Sequence, residues 1–163
     1  MGYWNIARKG KVCDSSSTVT KSKSARDIST IRYLHLDRLF DDSEIEENYR
    51  HPQLQHKSGL PMELDIFLPK EQLAFEYQGE HHFHDVYHMG IPWHRQRQRD
   101  EEKRKACREN EITLIEVPYW WNKETSTLAA TIRKERNDLI PNSMNGEQSI
   151  PTMKEYLIHS EGL

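Results

Sequence analysis

The sequence predicts a mixed α/β domain, a sheet carrying helices on its faces. Three observations lead there. Residues 27–40, DISTIRYLHLDRLF, repeat apolar side chains near helical spacing. Two strand-like runs, MELDIFLP and QLAFEYQG, flank a turn at Pro69-Lys70-Glu71-Gln72. A highly charged helical stretch then precedes the largely apolar run ITLIEVPYWW.

Taken in order, residues 1–23 are rich in Ser, Thr and Lys without an apolar period, and read as a flexible basic arm. The domain proper spans 24–140. Its first helix should bury Ile28, Ile31, Leu34 or Tyr33, and Leu39, and end at Asp41-Asp42-Ser43. EIEENYRHP alternates partly and should form a short strand that stops at Pro52. The polar loop QLQHKSG leads into the hairpin. A loop, VYHMGIPW, separates the hairpin from a helix over about 94–110, in which Ala106 and Cys107 are the main candidates for burial. ITLIEVPYWW suits a strand covered on both faces. Thr125 or Ser126 should cap a last helix buried through Leu128, Ile132 and Leu139. Residues 141–163 read as a tail with a short turn at MKEYLI.

The chain has 163 residues, 30% charged and 35% hydrophobic, enough for one core. No run approaches the roughly 18 apolar residues of a membrane span, so no membrane partner is expected. The first residues lack the apolar middle of a signal peptide. Cys13 and Cys107 are too few for a disulfide framework, and predict reduced thiols in an intracellular protein, nucleus or cytoplasm left open.

A net charge of −3 hides an asymmetry. Residues 1–26 hold six basic side chains and one acid; residues 93–108 hold seven basic and three acidic ones. Between them, residues 27–60 hold seven acids and four bases. Basic segments on an acidic frame suit a nucleic-acid surface. Arg95, Arg97, Arg99, Lys103 and Arg104 are the candidate phosphate contacts, against the plainer reading of a solvated helix face.

Alternation fixes the hairpin. Leu64, Ile66 and Leu68 share one face of the first run; Leu73, Phe75 and Tyr77 share one face of the second. Pairing 68 with 73, 66 with 75 and 64 with 77 makes every such pair apolar. Asp65 then lies opposite Glu76, and Glu63 opposite Gln78. Directly opposed carboxylates repel, and call for a cation such as Mg²⁺ between them. The alternative is an exposed sheet face that tolerates charge.

An acid followed on the antiparallel neighbour by Glu76-Tyr77-Gln78 resembles the core of the PD-(D/E)xK nuclease superfamily. More narrowly, EYQGEHHF and RDEEKRKACRENEITLIEV resemble the Vsr-like branch and its EDxHD homing-endonuclease relatives, over about residues 44–121. The resemblance implies a restriction-endonuclease-like core with a central β-hairpin flanked by helices, and a Mg²⁺- or Mn²⁺-dependent endonuclease acting on DNA. It makes Asp65 and Glu76 metal ligands, places Gln78 where many members have lysine, makes His82, with His81 as neighbour, a proton-transfer group or an extra ligand, and points Asp100 back at the site. Asp27 and Asp37 are the candidates for the family's helix-borne acid. Leu64 replaces the proline of the motif. Two distant cysteines provide no counterpart to the structural zinc of the repair enzymes.

Rival readings remain open. One is a non-catalytic DNA-binding module of the same fold. Another is a zinc-binding interaction domain built on His81, His82, His84, His88, His94 and Cys107. PYWW admits base stacking or rim packing. Double-strand cleavage would call for a homodimer, which no sequence feature shows.

Overall fold

A computed structural model of the chain describes residues 23–84, 93–140, 148–153 and 155–156. The expected arm, the loop between hairpin and charged helix, and most of the tail lie outside the described residues.

Helix α1 (Lys23–Thr30) runs through a π-helical segment, Ile31–Leu36, into the last turn α2 (Asp37–Leu39). The wider turn explains a departure from the sequence pattern. Tyr33 and Leu34 are 59% and 51% exposed, while Ile31, His35, Leu36 and Phe40 are buried. A π turn holds one more residue than an α turn, so His35 and Leu36 both reach the core face that regular spacing offered to Leu34. The His35 ring stands edge-on to Trp121 at 5.0 Å, and its Nδ1 meets Thr125 Oγ1 at 2.7 Å.

Strands β1 (Glu46–Gln55), β2 (Pro61–Leu68), β3 (Leu73–Gln78) and β4 (Thr113–Pro118) form one sheet in the order β1-β2-β3-β4. The first two pairings are antiparallel and β3 runs parallel to β4, so the sheet is mixed. Between β3 and β4 lie a 3₁₀ turn, Glu80–His82, and helix α3 (Trp93–Glu109); α4 (Thr125–Glu135) follows β4. The chain is thus an α/β domain with a central hairpin, in the element order that the sequence predicts.

Two local expectations are corrected. β1 continues past Pro52, because it is the edge strand and its register shifts between Arg50 and Gln55; a residue without an amide proton costs no ladder bond there. Glu124, not Thr125 or Ser126, occupies the N-cap of α4 and makes no side-chain cap bond. Asn122 Oδ1 instead accepts from the Glu124 amide at 3.1 Å, freeing Thr125 for His35.

Cores form on both sides of the sheet. The larger joins Ile66, Leu68, Leu73, Phe75, Ile115 and Val117 to Ile31, Leu36, Leu128 and Ile132. The smaller joins Leu54, Met62, Leu64, Phe67 and Ala74 to Cys107 and Ile112. Helix α3 has few apolar side chains, and among its described side chains Cys107 is the apolar one buried completely. Its docking depends on polar contacts, and these build the site.

Candidate functional site

The hairpin pairs 68 with 73 and 66 with 75, as alternation requires. The ladder stops there. Leu64 does not pair with Tyr77 but packs in the smaller core. The Tyr77 amide donates instead to Asp65 Oδ2 at 2.8 Å. A side chain has replaced a backbone acceptor, which opens the hairpin where Asp65 and Glu76 meet.

Both carboxyls are shifted. Burial raises Asp65 above the ordinary carboxylate range, against the opposing pull of the Tyr77 amide and Lys103. Burial and then the charge of Asp65 push Glu76 up to about 7, again against Lys103. Each acid therefore resists ionisation, as expected for two carboxylates held near one another away from water.

Lys103 projects from α3 between the strands. Its ammonium donates to Glu76 Oε1 and, at 2.9 Å, to the Glu63 carbonyl. The sequence placed Lys103 on a phosphate-binding stripe; the structure turns it inward. Glu76 Oε2 stays buried without a hydrogen-bond partner, leaving an acceptor for a further cation beside Asp65. Among the described residues no three His, Cys, Asp or Glu side chains gather as a metal cluster. A divalent ion here would thus have two carboxylates and take its other ligands from water or substrate, a donor set that suits Mg²⁺.

The second part of the site is a histidine pair. Gly79 follows β3, and a Cβ there would lie 3.0 Å from His81 Nδ1, so a larger residue would require the His81 ring to shift. The turn delivers His82, whose Nδ1 meets Asp100 Oδ2 at 2.9 Å; Gln96 donates to the other Asp100 oxygen at 2.9 Å. Asp100 thus holds His82, which lies within electrostatic reach of Asp65, while Asp65 lies close enough to Glu76 to make its ionisation costlier.

Gln78 is close by but engaged. It donates to Glu116 Oε1 at 2.5 Å, and Arg104 Nε lies 3.0 Å from both Glu116 oxygens. Glu116 sits level with Glu76 in the parallel register. Sequence reasoning passed over it, although a lone acid in the apolar run ITLIEV was a signal. Arg104 is therefore tied to β4, while Arg95 and Arg99 stay exposed at the surface with the polar face of α3. Arg97 is exposed as well and has a partner within the protein.

The remaining candidates fall elsewhere. Asp27 is buried against the far side of β3, bonded to the Tyr77 hydroxyl and paired with Lys123 at 2.8 Å. Asp37 lies in α2. His84 pairs with Glu80 at 3.2 Å, His94 is exposed, Cys107 belongs to the smaller core, and His88 lies outside the described residues. In PYWW, Trp121 is core; Trp120 stacks on Tyr156 at 5.1 Å, contacts Phe83 at 4.6 Å and donates to the Pro151 carbonyl. Its ring is occupied by packing.

Fold and site together define an α/β domain with a part-buried carboxylate pair, an inserted lysine and a carboxylate-held histidine. By sequence the chain is similar to three viral proteins. It is 38% identical over 74 residues to "Uncharacterized protein 307L" of Invertebrate iridescent virus 6, covering 43% of this chain and 38% of that protein. It is 43% identical over 65 residues to "Uncharacterized protein 033L" of Invertebrate iridescent virus 3, covering 38% and 34%. It is 38% identical over 80 residues to "Uncharacterized protein 094L" of Frog virus 3 (isolate Goorha), covering 43% and 52%. The chain thus spans between about a third and about half of the length of these relatives. No family model and no solved structure matches it. Among the described residues no helix is long and apolar enough to cross a membrane.

Proposed function

We propose that the chain is a divalent-metal-dependent endonuclease that hydrolyses DNA phosphodiester bonds, on a restriction-endonuclease-like core of the Vsr-like kind. One observation carries this reading. Two part-buried carboxylates from neighbouring strands meet where the hairpin opens, within reach of a histidine held by a third carboxylate.

Asp65 and Glu76 would hold Mg²⁺ or Mn²⁺, which when bound supplies Lewis acidity at the phosphoryl group and a more acidic water. The unpartnered Glu76 Oε2 and the raised carboxyls fit such an ion, because added positive charge relieves both. His82 donates Nδ1–H to Asp100, which leaves its other nitrogen to accept or deliver a proton. Lys103 brings to the site the positive charge that Gln78 lacks. Gln78, fixed by Glu116, holds the end of β3 in place.

Nicking of supercoiled plasmid in Mn²⁺ or Mg²⁺ tests the proposal. Activity should vanish on chelation and fall at least 100-fold in Asp65→Ala and in Glu76→Ala. Undiminished nicking by both variants rejects it.

A second reading, a DNA-binding module without turnover, is favoured by the Lys103–Glu76 pair, in which the protein's own cation already serves one acid. DNA binding with no nicking in either metal selects it.

A further inference from the structure

Beside the site, the turn between β1 and β2 and one flank of α3 enclose a groove of about 560 Å³. His56 and Lys57 line it from the turn; Arg95, Gln98 and Arg99 line it from the helix, with Glu102 the one acid among the described lining residues. The two segments lie far apart in sequence, and folding brings the positive charges of Lys57, Arg95 and Arg99 to one channel.

The turn is built to hold Lys57 outward. The His56 amide donates to the Leu60 carbonyl at 2.9 Å, and the Gly59 amide to the His56 carbonyl at 2.8 Å. Gly59 closes it with φ at +79°, a conformation that favours glycine. Glu102 is already engaged, 3.5 Å from His56 Nδ1 and 3.9 Å from Lys57 Nζ. Arg95 and Arg99 are exposed, with no hydrogen bond or ion pair to any described residue.

Arg95 and Arg99 lie four residues apart, about 6 Å along the helix axis, so both stand on the groove flank of α3. Pro61, on the groove wall, precedes Asp65 by four residues of β2, about 13 Å. A strand with its scissile phosphate at Asp65 would pass the groove a few phosphates away.

We infer that this groove binds the phosphate backbone of the DNA duplex flanking the cleaved bond, through Lys57, Arg95 and Arg99. The inference rests on the nuclease reading and extends it to the β1–β2 turn. It also removes Lys103 and Arg104 from the phosphate-contacting set, since both are committed to acids inside the fold.

The test measures duplex affinity by fluorescence anisotropy in the Asp65→Ala background, so that cleavage does not interfere. Combining Lys57→Glu, Arg95→Glu and Arg99→Glu should weaken binding at least tenfold. It should also lower the slope of log affinity against log salt by about 2 to 3, at roughly 0.9 per phosphate contact. The control, Lys105→Glu with Arg108→Glu, reverses two charges elsewhere on the helix, against three in the groove, and should stay within threefold. Circular dichroism establishes that both proteins are folded. Equal binding by the triple variant and its parent overturns the groove and leaves the nuclease reading standing. Tighter binding of an RNA duplex than of the DNA duplex overturns the commitment to DNA. Loss of binding in the triple variant, with nicking unchanged by Asp65→Ala, keeps the groove and rejects the catalytic assignment. A parent that neither binds nor nicks DNA overturns both.

Discussion

Lys103 and Glu76 form an ion pair inside the fold, with side chains only 15% and 14% exposed, although they lie 27 residues apart on α3 and β3. Lys103 therefore answers a question posed by the hairpin itself, namely which cation sits near two opposed acids. It answers for one oxygen of Glu76 and leaves the other without a partner.

Removing that cation should be costly. Lys103→Met leaves Glu76 and Asp65 facing each other without compensation, and breaking a buried pair in this way costs about 3 kcal/mol or more. Chemical unfolding in chelator should report a loss of that order, and added Mn²⁺ should recover part of it. A variant as stable as the parent would show that the pair contributes nothing.

The same acids predict a pH dependence. Glu76 is held at about 7, above its ordinary 4.5. Its protonated form favours the folded state, so that contribution is complete below about 4.5 and is lost as pH rises through about 7. In chelator the thermal midpoint should therefore fall between pH 5 and pH 8. Glu76→Gln should flatten the fall, and Mn²⁺ should lift the alkaline side in the parent alone. A parent profile that rises over this interval contradicts the assignment.

His82 and Asp100 should separate chemistry from metal binding. His82→Ala is expected to slow plasmid nicking about 100-fold, the lower range for a general acid or base. Asp100→Asn should cost less, because the imidazole remains while its tautomer and orientation loosen. Both should keep the Mn²⁺-induced rise in melting temperature that Asp65→Ala loses. If His82→Ala abolishes that rise, the histidine is a ligand and not a proton carrier.

Arg104 offers a check on the charge stripe. Its guanidinium holds Glu116, which in turn holds Gln78. Arg104→Ala should lower stability by about 1 kcal/mol, the upper range for a partly exposed pair. The salt slope of DNA binding should not change. A slope reduced by about one contact would return Arg104 to the phosphate-binding set.

The sequence by itself determined the element order, the hairpin turn and the register from 68–73 to 66–75, because a period of two assigns every apolar side chain a face. It also determined that Asp65 and Glu76 come from neighbouring strands, and that the turn after Gly79 carries His82 close by. Tertiary structure alone decided the rest. The π turn that buries His35 has no signature in apolar spacing. Arg95, Arg99 and Lys103 follow one another at i+4 along one flank of α3, yet the first two line the groove while Lys103 enters the hairpin, and Arg104, on the next position round, clamps β4. A charged helix with little apolar surface has no pattern that fixes its rotation. Only the acids and the small core beneath it do, and those lie on other elements.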